Sequence, residues 1–364
     1  MAPNQTDRIA TLDLLRLVSA LAVVVYHYFF RGAAADGYLA VGYPEAAPYA
    51  IYGYLGLNLF FMISGFVIAW SAEGRDPASF ALARFARLYP GFVACMTITF
   101  AVIVLFGMPP FSTGPAQYVA NLVMFAPALG QPFMDGVYWT IILEIVFYGW
   151  VALALLAGVF QRWKLPLLAG WLSVAMLNEF VVGSGALRML FVTEYAPFFV
   201  FGVLVHHMSA HGRSREVLVL AAVATVFSMS TVQTLREWML EHYGTALSLP
   251  ALLAANAAIQ LILLGAVALR HRLPSSGFVM MLGGLTYPLY LLHQNVGYIA
   301  INHLAPVTGR WAAALLALAA ILVVSGLIWR FVERPARRAI MAAGRTLIAR
   351  LPARFTRVAV ASEQ

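Results

Sequence analysis

Ten residues separate an arginine from a histidine near the amino terminus, in Arg16-Leu-Val-Ser-Ala-Leu-Ala-Val-Val-Val-Tyr-His27, and nearly all of them are apolar. On an α-helix, eleven steps of about 100° bring His27 back to within about 20° of Arg16's direction, roughly 16 Å further along the axis. The guanidinium can hold a phosphate or carboxylate. The imidazole can take a proton from a hydroxyl near neutral pH. In a membrane helix both side chains are costly, so the face they share should point at protein or at a water-filled cavity. A snorkelling arginine with a packed histidine is the plainer alternative.

Other ionisable residues sit in apolar surroundings. Asp13 is three residues before Arg16 and can pair with it. Glu144 lies in Tyr138-Trp139-Thr140-Ile-Ile-Leu-Glu144-Ile-Val-Phe147-Tyr148, and His293 in Tyr287-Pro288-Leu-Tyr290-Leu-Leu-His293. Glu179 and Glu194 fall near the ends of less regular apolar runs. His27, Glu144 and His293 are expected at similar depths. A carboxylate that reaches a histidine holds its tautomer and stabilises the imidazolium, as a general base requires. The same three residues could instead staple helices or form a transporter's proton relay. A second group follows the run Phe60-Phe61-Met62-Ile63-Ser64-Gly65-Phe66: Arg75, Arg84 and Arg87, expected in the connecting loop. Arg84-Phe-Ala-Arg87 separates two guanidinium groups by one helical turn, a spacing suited to phosphates, although charge topology alone explains them. No nucleotide-binding glycine loop, serine elbow or zinc-ligand helix is present.

The elements that must position these residues are transmembrane helices. The 364 residues are 62% hydrophobic and only 10% charged, far below the roughly 25% charged of a soluble domain. The fold class is therefore all-α and polytopic. Apolar runs place about ten spans near 12–30, 51–71, 88–108, 136–158, 165–183, 188–207, 217–233, 245–269, 278–302 and 310–332. With both termini cytosolic, 19 Lys and Arg residues fall inside and 4 (Arg31, Arg188, Arg236 and Arg310) outside. That satisfies the positive-inside rule, so the net charge of +8 reports orientation rather than nucleic-acid binding. The single cysteine, Cys95, excludes an internal disulfide and argues against a cysteine metal site. Arg8, the first apolar run and Ala33-Ala34-Ala35 resemble a signal with cleavage near Asp36, but Asp13, Arg16 and His27 make that run more than a disposable leader. No internal repeat of the transporter kind is evident. Residues 336–364 form a basic tail, expected to lie as an amphipathic helix on an anionic inner leaflet.

Six motifs in order together resemble one family, the acyltransferase-3 type membrane O-acyltransferases of bacterial surface glycans. They are Arg16-x10-His27, Phe60-Phe-Met-Ile-Ser64-Gly65-Phe66, Arg84-x-x-Arg87-x-Tyr89-Pro90, Trp139-Thr140-x3-Glu144-x2-Phe147-Tyr148, Tyr290-Leu-Leu-His293 and Glu333-Arg334-Pro335. The resemblance implies an acyltransferase domain over residues 1–335 in the inner (plasma) membrane. It implies cytosolic acetyl-CoA or another acyl-CoA as donor, no metal, and a glycan or glycolipid hydroxyl as acceptor. His27 would be the base or carry the acyl group, with direct transfer preferred, and Glu144 would orient it or complete the acceptor site. Arg16, Arg84 and Arg87 would hold coenzyme A phosphates. Asp13, Ser64, Trp139, Tyr290 and His293 complete the expected substrate-binding set. Larger members append an esterase-like domain, which this chain is expected to lack. That suits a lipid-linked sugar, an exported polysaccharide or a lipophilic molecule such as a macrolide. A proton-coupled transporter is the rival class.

Overall fold

The computed structural model describes residues 9–34, 37–274 and 276–356. The expectations for Arg8, Asp36 and Arg357 lie outside these residues. No strand occurs among the described residues. The main helices are α1 (Ala10–Phe29), α2 (Leu55–Ala72), α3 (Pro77–Phe106), α4 (Trp139–Leu156), α5 (Lys164–Leu177) and α6 (Ala196–His211). They continue with α7 (Arg215–Tyr243), α8 (Leu249–Ala268), α9 (Gly277–Leu292), α10 (Asn295–Thr308), α11 (Arg310–Ile328) and α12 (Arg334–Ile348). Among the described residues, nine helices are long and apolar enough to cross a membrane. The protein is a polytopic all-α membrane protein.

Two expectations from the sequence change. The run at 278–302 is not one helix: α9 has 16 residues, stops at Leu292, and the chain restarts as α10 two residues later. His293 and Gln294 form the break. Second, Arg84 and Arg87 are not in a loop. Helix α3 begins at Pro77, well before the apolar run, because the Asp76 side chain accepts from the Ser79 N–H at 2.8 Å and Pro77 suits the first turn. Both arginines therefore have fixed directions.

Helix α2 is buried on nearly all sides and packs along α6. A Cβ at Gly65 would run into the Phe199 carbonyl, and one at Gly202 into that of Met62. Two backbones in van der Waals contact are the usual membrane solution, since lipid supplies no hydrophobic drive between helices. This contact fixes α2's rotation and so aims Ser64 at its neighbour α4. At the far end, α11 passes through one π turn, Trp329–Glu333, before α12. The wider turn rotates Glu333 inward, where it is 6% exposed.

Candidate active site

The three arginines of the sequence motifs converge on one cleft. Arg16 enters from α1, Arg84 and Arg87 from α3, Ser64 and Phe60 from α2, Thr140, Glu144 and Tyr148 from α4, and Tyr287 and Tyr290 from α9. The arginines are not equivalent. Arg87 is spoken for: its Nη1 donates to Glu333 Oε2 at 2.9 Å, with the guanidinium over the Tyr287 ring. Arg16 Nη1 lies 3.6 Å from Asp13 Oδ1. Arg84 has neither an ion pair nor a hydrogen bond among the described residues, and its Nε is buried without a partner. Its guanidinium lies over the Phe80 ring, 5.8 Å from the centroid, and a guanidinium without an ion pair beside a cleft can bind an anion.

Glu144 faces the same cleft. Its Oε1 accepts from Ser64 Oγ at 2.8 Å, and Tyr148 Oη stands 3.5 Å from that hydroxyl. Glu144 makes no hydrogen bond to His27 among the described residues. The group that meets His27 is His293, whose Nε2 lies 3.1 Å from His27 Nδ1. His293 Nδ1 is 2.8 Å from the Tyr290 carbonyl, and His27 Nδ1 is 2.9 Å from that of Val23. Carbonyls only accept, so each Nδ1 must carry a proton. His293 Nε2 is then a bare acceptor, His27 Nδ1–H is shared between it and Val23, and His27 Nε2 keeps its lone pair. That nitrogen has no hydrogen-bond partner among the described residues. His27 is held in the tautomer of a base.

Cleft and histidine pair join through Tyr290. Its ring lines the cleft and lies 5.5 Å from the His293 ring, centroid to centroid. Its hydroxyl donates to Thr140 Oγ1 at 2.9 Å, because that hydroxyl gives its own proton to the Val137 carbonyl. The expected set is thus divided. Arg16, Ser64, Arg84, Arg87, Glu144 and Tyr290 line the cleft, Asp13 stands behind Arg16, and His27 and His293 form the buried pair beyond. Trp139 is apart from these: it is 37% exposed and packs on Tyr195. Tyr148, which lines the cleft, and Glu333, which pairs with Arg87, were in recognisable motifs but were not expected at the site. Among the described residues, no group of three or more metal-binding side chains could hold a metal ion.

Residues 9–330 match the family described as an acyltransferase domain, Acyl_transf_3. The chain belongs to this acyltransferase family. The match takes in α1 through α11 and therefore every residue that lines the cleft. The chain is 28% identical over 153 residues to "Acyltransferase MdmB" of Streptomyces mycarofaciens, covering 40% of this chain and 39% of that protein. It is 36% identical over 121 residues to "Protein 2 in picA locus" of Rhizobium radiobacter, covering 30% of this chain and 54% of that protein. The chain therefore spans between two fifths and just over half the length of these relatives. No solved structure matches. The chain is thus a multi-span membrane member of this family.

Proposed function

We propose that this acyltransferase moves an acyl group, acetyl in the first instance, from cytosolic acyl-CoA to a hydroxyl of a membrane-associated or extracytoplasmic glycan. The observation that carries the reading is the unpaired Arg84 guanidinium, in a cleft whose other wall, Tyr290, stands against the His27–His293 pair. Phosphates bind at Arg84 with Arg16 beside it. Arg87, neutralised by Glu333, shapes the cleft more than it charges it. The charge distribution along the chain supports a plasma-membrane protein with both termini, and the arginine end of the cleft, on the cytosolic side. The basic stripe of α12 would rest on that leaflet's anionic headgroups.

The chemistry is direct transfer. His27 Nε2 accepts the proton of the acceptor hydroxyl as its oxygen bonds to the thioester carbon. The tetrahedral intermediate collapses with cleavage of the C–S bond, and the leaving thiolate takes the proton back from His27 Nε2. The products are the ester and free coenzyme A, and the enzyme is unchanged. His293 keeps the imidazolium oriented through its Nε2 acceptor. The Ser64–Glu144 hydrogen bond belongs to the donor cleft, which supports a role in seating the pantetheine arm rather than in holding His27.

Mass spectrometry of surface glycans, lipid-linked sugars and secreted lipophilic metabolites tests this, comparing cells that express wild type with cells that express His27→Ala. An acyl increment confined to the wild type, on a glycan fraction, is expected. An increment on a lipophilic metabolite would change the acceptor class. Proton-gradient-driven flux without consumption of acyl-CoA would replace the enzyme by a transporter.

A further inference from the structure

Asp135 lies outside every motif discussed above. It is 0% exposed, in the turn that leads into α4, and it faces the break between α9 and α10. Its Oδ1 accepts from the Val137 N–H at 3.1 Å, and its Oδ2 from the Asn295 N–H at 2.9 Å. One carboxylate thus caps two helix starts: the single turn Gly136–Tyr138 before α4, and α10. The surrounding loop is clamped as well. The Asn295 side chain donates to the Met134 carbonyl at 3.0 Å, and the Met134 N–H donates to Asn121 Oδ1 at 2.9 Å.

A broken helix leaves orphan groups on both sides. On one side α9 ends at Leu292, so the Tyr290 carbonyl lacks a helical donor and takes the proton of His293 Nδ1. On the other side the Asn295 N–H lacks a helical acceptor and goes to Asp135. If α9 ran on unbroken, the Gln294 N–H would claim the Tyr290 carbonyl and displace the imidazole.

We propose that Asp135 is a positioning residue for the histidine pair: it holds the break at Gln294 open, and the open break keeps His293 and His27 in the tautomers that leave His27 Nε2 bare. The catalytic part of this rests on the reading of His27 as the base. A carboxylate is required because both of its partners are donors. An amide offers one oxygen, and its NH2 would face the other N–H.

Nitrogen NMR of isotope-labelled histidine reads the tautomers directly, in purified protein in lipid nanodiscs, with His27→Gln and His293→Gln for assignment. Wild type should show Nδ1–H with bare Nε2 on both rings. Asp135→Asn should move His293 towards Nε2–H and lower kcat about 100-fold, within the range of a general base's contribution, while KM for acetyl-CoA stays unchanged. Asn295→Ala keeps the backbone N–H but drops the Met134 bond, so it should fall between the two in both readouts. Unchanged tautomers in Asp135→Asn overturn the proposal, whatever happens to turnover. If Asp135→Asn does not accumulate, Asn295→Ala decides by the same criterion. If wild type transfers nothing from acetyl-CoA, the functional reading fails, and the tautomer spectra still decide Asp135's role.

Discussion

His293 Nε2 stands 3.1 Å from His27 Nδ1, although the two residues are 266 positions apart in the chain. An imidazole therefore occupies the place a carboxylate takes in most histidine bases. The physical trade is clear: a neutral partner stabilises the imidazolium less than a carboxylate would, but it leaves no uncompensated charge in a buried site between catalytic cycles. Removing the pair in two steps tests it. His27→Ala should abolish transfer, by about a thousandfold or more, and His293→Ala should cost about 10- to 100-fold. Turnover of acetyl-CoA in membranes, normalised to protein level, is the measurement. Full activity in His293→Ala would remove the pair from the mechanism.

Arg84 should control donor affinity. Arg84→Ala loses a charge-assisted hydrogen bond to phosphate and should weaken acetyl-CoA binding by about 10- to 100-fold, with kcat little changed. Arg84→Lys should recover part of this, since an ammonium supplies charge without the planar fork. Titration calorimetry on the detergent-solubilised protein would show it. Equal affinity in Arg84→Ala and wild type would refute the phosphate site.

The Arg87–Glu333 pair makes a prediction about stability. Glu333→Ala leaves a guanidinium without its anion in a cleft already holding Arg84, and should cost about 3 kcal/mol. The double variant Arg87→Ala/Glu333→Ala should be less damaged than Glu333→Ala alone, because it removes the unpaired charge. Thermal unfolding in one detergent gives all the values needed. Strict additivity would mean the two side chains are not coupled.

Glu144→Gln separates two roles. Gln can still accept from Ser64 Oγ, so the cleft keeps its shape and loses a negative charge. The expectation is a changed KM for acetyl-CoA with the acid limb of the kcat–pH profile unmoved. A shifted limb with unchanged KM would return Glu144 to the histidine.

Much of this was legible in the sequence, for local reasons. Hydropathy and charge are properties of each segment by itself. They identify a multi-span membrane protein, pick out Arg16, His27, Glu144 and His293 as polar groups that lipid would not tolerate, and mark Arg84 and Arg87 as a basic pair on the cytosolic side. The start of α3 was also readable, since Asp76-Pro77 is an N-cap followed by a first-turn proline; the apolar run simply masked it. Partnership was not readable, because it depends on the rotation and depth of helices packed against one another. Only the tertiary structure gave Arg87 to Glu333 and left Arg84 open, and only it brought His27 to His293 rather than to Glu144. The break in α9 belongs to the same class. Pro288 lies inside that helix, yet the helix ends four residues later, at Leu292. The N–H that begins the next helix is met by Asp135, 160 residues away, which no periodicity within the segment could reveal.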